Sequence, residues 1–188
     1  MKGANYTPND VFLPRVTEEN YRRVVETARI SNNNMLRIWG GGVYEDDRFY
    51  DLCDEAGILI WQDFMFACAM FPGDDAFLNN VKQEATDNVI RLRNHPSMGL
   101  WCGNNEILAA WKGWGWEKAE MEKNPENAAK IWKAYEDIFH KVLPDVVAEY
   151  DPQRSYWSSS PSSGPGIPAD LKNGDEHYWM VWWGKAPF

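Results

Sequence analysis

The sequence predicts an α/β fold built on a parallel sheet, and three observations lead there. Short apolar runs at 35–39, 58–61 and 98–102 alternate with longer stretches whose apolar residues recur at helical spacing. The short runs are continuous, not alternating, which is the pattern of strands covered on both faces. Gly, Pro and Asn clusters separate the two kinds of segment. Repeated strand–helix units of this kind imply right-handed crossovers between parallel strands.

The elements follow in order. Lys2 to Tyr6 is a short strand closed by Pro8. Thr17 is placed to cap a helix in which Tyr21, Val24, Val25 and Ala28 share a face, stopped by Asn32-Asn33-Asn34. Met35 to Trp39 is a second strand, ended by Gly40-Gly41-Gly42. Phe49, Leu52, Cys53 and Ala56 mark the next helix, with Gly57 at its C-terminal cap. Ile58 to Trp61 is a third strand, followed by Gln62-Asp63-Phe64. Phe77, Val81, Ala85, Val89 and Leu92 mark a long helix that ends before Pro96. Met98 to Cys102 is the fourth strand. An amphipathic helix carries Ile131, Trp132, Tyr135, Ile138, Phe139, Val142, Leu143, Val146 and Val147. Ser155 to Ser159 is a fifth strand candidate, 158–174 a long Ser/Pro/Gly loop, and His177 to Trp183 the start of a sixth strand. An eight-unit barrel needs about 250 residues. The 188 residues here hold five to six units, so the sheet is either open or part of something longer.

Composition narrows the function. With 44% hydrophobic and 25% charged residues the chain reads as an ordinary globular protein. A net charge of −9 without a Lys/Arg cluster argues against nucleic acid or an anionic membrane as partner. No signal-peptide pattern and no apolar run near 18 residues is present. Cys53, Cys68 and Cys102 are odd in number and lack metal-type spacing, so neither a disulfide framework nor a zinc site is expected. The unusual component is aromatic, with 11 Trp, 8 Tyr and 8 Phe, several in Gly-rich sequence.

Trp101-Cys102-Gly103-Asn104-Asn105-Glu106 is where chemistry is expected. Functional groups of strand–helix folds collect just after the carboxyl ends of the strands, and Glu106 falls there beside two amides. Trp111, Trp114 and Trp116 follow within ten residues. Glycosidases use one carboxylic acid to protonate the leaving oxygen and a second carboxylate as nucleophile or base. Amides suit sugar hydroxyls, and indole faces suit sugar C–H surfaces. Glu106 as a solvated helix-start acid is the plainer alternative. Asp63, after the third strand, is read equally as a substrate contact or a satisfied structural carboxylate. Trp39 with its glycines is a tight turn or a ligand-facing indole, and neither nucleotide-binding fingerprint is present. His177-Tyr178-Trp179 is a core strand or a site edge.

Four segments carry a resemblance: Lys2-Gly3-Ala4-Asn5, Leu36-Arg37-Ile38-Trp39-Gly40-Gly41-Gly42, Trp61-Gln62-Asp63-Phe64 and Trp101-Cys102-Gly103-Asn104-Asn105-Glu106. In order and spacing they resemble the catalytic barrel of β-mannosidases in glycoside hydrolase family 2, and the Cys-Gly-Asn-Asn-Glu string is specific within that family. The resemblance implies a (β/α)8 TIM-type barrel, truncated here to about five to six units, and retaining hydrolysis of terminal β-mannosyl residues. It implies Glu106 as general acid/base and Asn105 as partner of the sugar 2-hydroxyl. Trp39 and Trp114 would line the sugar subsite, with Asp63 and His177 as further contacts. It implies no metal and no organic cofactor.

The family's nucleophile is a Glu after the seventh strand, beyond the matched motifs. The β-sandwich domains that precede the barrel in the family are also outside the match. The chain is therefore expected to be a catalytic-domain fragment, inactive alone, whose partners are a β-mannoside or mannose-containing oligosaccharide and the remainder of the parent chain. Three alternatives stay open. Asp63 could complete a site with Glu106. The Trp-rich loop could serve a non-catalytic carbohydrate-binding module. Open strand edges could make the piece self-associate.

Overall fold

The computed structural model describes residues 1–187. Five strands, β1 (Gly3–Tyr6), β2 (Met35–Ile38), β3 (Leu59–Asp63), β4 (Met98–Cys102) and β5 (Ser155–Trp157), form one sheet in sequential order. Every neighbouring pair is parallel. The register aligns Tyr6, Ile38 and Gln62 across the first three strands. It also aligns Asp63, Cys102 and Trp157 across the last three. Because all strands run the same way, their carboxyl ends share one rim, and every loop leaving that rim can contribute to one site.

Helix α1 (Glu18–Ile30) starts at a reciprocal cap: the Thr17 side chain accepts from Asn20 N–H, and the Asn20 side chain accepts from Thr17 N–H. Helix α2 (Asp47–Ala56) is capped by Asp46 and ends at Gly57, whose φ of 66° is the left-handed conformation that glycine adopts without a Cβ clash. Helix α3 (Asp75–Leu92) is capped by Asp74 and buries Val81, Ala85, Val89 and Leu92, a stripe at the three-to-four-residue spacing of one helix face. These helices and the sheet enclose Phe49, Tyr50, Ile60, Phe64 and Trp101, all fully buried. Phe64 stacks on Trp101 with ring centroids 5.3 Å apart. Cys53 and Cys102 are buried free thiols in this core.

Three expectations change in the structure. The Trp-rich tract is partly helical: α4 (Ile107–Gly113) buries Ile107, Leu108, Ala110 and Trp111, and α5 (Trp116–Lys123) follows. Its apolar face begins upstream of the tract, so Trp111 belongs to a helical stripe. The long amphipathic helix is interrupted, as α6 (Pro125–Asp137) and α7 (Leu143–Tyr150) join through a π-helical turn at Ile138–Val142. Pro144 has no N–H and its ring crowds the preceding turn, and Leu143 N–H reaches back to Ile138 O, a five-residue span.

The third change is at 177–183, which forms no strand. Its backbone turns on itself, with Trp182 and Trp183 N–H both donating to Trp179 O, and Trp183 is 80% exposed. β5 therefore remains an edge.

Candidate active site

The site is built at the rim where β3, β4 and β5 end. After β4 the chain turns sharply: Glu106 has φ 62° and ψ 8°, a left-handed conformation uncommon for a residue with a side chain. Such backbone persists only where neighbours over-determine it. Here Glu106 N–H donates to Ser160 O (2.7 Å), Asn105 N–H to Phe66 O (2.9 Å) and Ser160 N–H to Asn104 O (2.9 Å). Three rim loops are thereby stitched into one surface. Cys68, at φ 45°, is a second left-handed residue on it, and its N–H donates to Asn105 O.

Asn104 supplies the stitching, not a ligand contact. It is fully buried, its Oδ1 accepts from Ile107 N–H (3.1 Å) and Ser159 Oγ (2.8 Å), and its Nδ2 donates to Ser158 O. The amide that reaches the pocket is Asn105. Its Oδ1 accepts from Arg37 Nη2 (3.1 Å), which leaves its Nδ2 beside Cys68 Sγ (3.4 Å).

Asp63 lies beneath the pocket floor. It is fully buried, and Arg37 grips it with Nη2–Oδ2 at 2.8 Å and Nε–Oδ1 at 3.2 Å. Gly40 N–H and the Trp61 indole donate to it as well. Burial pushes its carboxyl up, against the pull of Arg37 and the two N–H donors. The reading of Asp63 as a sugar contact, or as a second catalytic carboxylate with Glu106, is corrected by this geometry: its oxygens are already occupied and no face meets the pocket. Of its two readings, the satisfied structural carboxylate is the one that fits.

Glu106 itself faces a cleft of about 530 Å³ that Trp39, Arg37, Asn105 and His177 also line. Its Oε1 is 2.7 Å from His177 Nδ1, and its Oε2 is 3.5 Å from Cys68 Sγ. The hydrogen bond from His177 holds the Glu106 carboxyl below its ordinary value, against partial burial. Partial burial, with Glu106 adjacent, pushes the Cys68 thiol up. A second cleft of about 430 Å³ also reaches Glu106 and His177 and is bordered by Trp114, Pro161, Pro168 and Trp183. Trp39 and Trp114 therefore line different clefts, both of which reach the carboxylate. Trp114 is 52% exposed and meets Trp116 edge-on at 82°, while Trp111 is buried against Trp132. The three indoles present no common flat platform.

Arg37, Cys68 and Ser160 carry contacts to which the sequence alone assigned no role. Arg37 had a legible signal: a cation inside an apolar strand needs a buried anion. Asp63 stands two residues beyond Trp61, the register partner of Arg37 on the adjacent strand. Cys68 and Ser160 had none, because only the folded rim brings their loops together.

No family model matches the chain. Curated relatives do. Beta-mannosidase B of Aspergillus clavatus is 43% identical over 182 residues, which is 97% of this chain and 22% of that protein. Beta-mannosidase of Bos taurus is 42% identical over 189 residues, 95% of this chain and 21% of that protein. The crystal structure of a β-D-mannosidase from Dictyoglomus thermophilum superposes with a TM-score of 0.82 at 49% identity, covering 97% of this chain and 21% of that one. Over nearly its whole length the chain is similar to one part of these β-mannosidases. It spans about a fifth of the length of the β-mannosidases it matches. A β-glucuronidase from Bacteroides uniformis, 22% identical with a TM-score of 0.65 over 82% of this chain, shares the fold.

Proposed function

We propose that this chain is the acid/base-bearing part of a retaining exo-β-mannosidase of glycoside hydrolase family 2. On this reading residues 1–188 are a partial catalytic (β/α)8 barrel, and the later strands and preceding β-sandwich domains of the parent lie elsewhere. Five parallel strands in sequential order support it, as does the placement of Glu106 on their carboxyl rim. The observation that carries it is Glu106: a solvent-reachable carboxylate on a strained turn, flanked by an oriented amide and bordering two clefts that each hold an indole.

In this reading Glu106 protonates the glycosidic oxygen and then, as the carboxylate, takes a proton from water. Asn105 Nδ2 bonds the sugar 2-hydroxyl, with Oδ1 already committed to Arg37. Trp39 and Trp114 flank the sugar. A general acid works best with a pKa near the working pH, whereas here the Glu106 carboxyl is held low. A second carboxylate about 5 Å away would raise it, as paired carboxylates do. No metal or organic cofactor enters this chemistry.

The isolated chain is accordingly inactive. Incubating it with an aryl β-mannoside gives no turnover above buffer. Saturable hydrolysis abolished by Glu106→Gln would mean that a complete site is already present. The non-catalytic sugar-binding reading needs a platform of indoles, and the buried Trp111 and the edge-on Trp114–Trp116 pair count against it.

A further inference from the structure

A chain of side-chain hydrogen bonds runs from Asp63 through Arg37 and His177 to Glu106, and its direction is fixed at one end. A guanidinium carries only donors and keeps its charge. Arg37 Nη1 lies 3.1 Å from His177 Nε2, so Nε2 must offer a lone pair there. The ring proton of the neutral imidazole is then on Nδ1, 2.7 Å from Glu106 Oε1. A protonated Nε2 would set N–H against N–H at Arg37.

The Ser160 hydroxyl donates its one proton to Asp175 Oδ2 (2.5 Å), so it turns a lone pair toward Nε2 at 3.0 Å, and the charged Arg37 donor outweighs this neutral contact in setting the tautomer. Asp175 accepts in addition from the Trp157 indole and from Ser162 N–H. Ser160 is therefore no triad nucleophile: its proton goes to Asp175, and at 1% exposed no acyl group can reach it. The chemistry belongs to the Glu106 end.

We propose that His177 is a positioning residue: locked by Arg37 as the Nδ1–H tautomer, it holds Glu106 Oε1 by a donated hydrogen bond and leaves Oε2 as the oxygen that exchanges a proton with a ligand. His177 also lines the cleft, so this role stands beside its reading as a sugar contact. It also gives the Asp63–Arg37 pair a purpose, since Asp63 aims the guanidinium that sets the tautomer. The catalytic consequence rests on the reading of Glu106 as acid/base, but the tautomer does not.

Long-range ¹H–¹⁵N spectra of the ¹⁵N-labelled chain near neutral pH test it. The expected result for His177 is a pyrrole-type Nδ1 and a pyridine-type Nε2. A His177 ring with a pyrrole-type Nε2, or with both nitrogens protonated, overturns the proposal. Two variants extend the test through the ¹³C resonance of the Glu106 carboxyl group. His177→Asn places an amide N–H near the Nδ1 position and keeps that resonance close to its original shift, whereas His177→Leu moves it. An unmoved resonance in His177→Leu also overturns the proposal. If either variant fails to fold, the unsubstituted chain's spectrum decides alone. Hydrolysis by the parent protein is read separately, so failure of the acid/base assignment and failure of the tautomer assignment are distinguishable.

Discussion

Arg37 and Asp63, 26 residues apart, form a two-pronged ion pair under the pocket, with Nη2–Oδ2 at 2.8 Å and Nε–Oδ1 at 3.2 Å. The pair sits on adjacent strands, and Arg37 spends its remaining donors on Asn105 and His177. One buried carboxylate therefore orients two pocket residues. Breaking a buried pair by removing one charge costs about 3–5 kcal/mol, because the other charge stays buried. Asp63→Asn is expected to lower the urea midpoint of this chain by that order. An unchanged midpoint would show that Arg37 finds solvent or another anion.

The Trp tract gives a paired prediction. Trp111 is 1% exposed and stacked on Trp132, so Trp111→Ala should cost about 3–5 kcal/mol. Trp114 is half exposed, and Trp114→Ala should cost under about 1 kcal/mol. Denaturation of the two variants side by side checks the contrast. Equal costs would contradict the assignment of one indole to the core and the other to the cleft.

Glu45 should destabilise the fold at neutral pH. It is buried, accepts from the Tyr21 hydroxyl at 2.9 Å and has the Tyr6 side chain as its other neighbour. Burial holds its carboxyl above the ordinary value. For an acid shifted upward the sign is definite: the favourable contribution is present below the unfolded-state pKa and is lost as pH rises through the folded one. Glu45→Gln should therefore raise the thermal midpoint at neutral pH, and the gain should vanish at pH values below the unfolded pKa. A gain independent of pH would point to packing instead.

The free edges of β1 and β5, together with exposed Trp182 and Trp183, should make the isolated chain associate. Light scattering is expected to report a dimer or larger species. A clean monomer across concentrations would show that these surfaces do not pair.

Local signals were legible wherever one residue dictates one conformation. Thr17 and Gly57 marked the ends of α1 and α2, and the unbroken apolar run at 98–102 marked β4. Glu106 was placed after that strand by the same logic. What stayed hidden depends on contacts between distant segments. Asp63 reads alike as a ligand group or a buried counter-ion until Arg37 is seen beside it. His177 sits 71 residues from Glu106, and no spacing rule joins them. An aromatic run such as 177–183 has strand propensity, yet a strand also needs a partner edge and a register, and here the backbone turns instead.

The acid/base assignment is tested most directly by the leaving-group dependence of a Glu106→Gln substitution in the longer parent protein. An acid that protonates the departing oxygen matters most when that oxygen leaves poorly. Turnover of alkyl or sugar β-mannosides should fall by about 10²–10⁴-fold, while an activated dinitrophenyl β-mannoside should lose far less in its glycosylation step. Equal losses on both substrates, or no loss on either, would contradict the assignment of Glu106 as the acid/base.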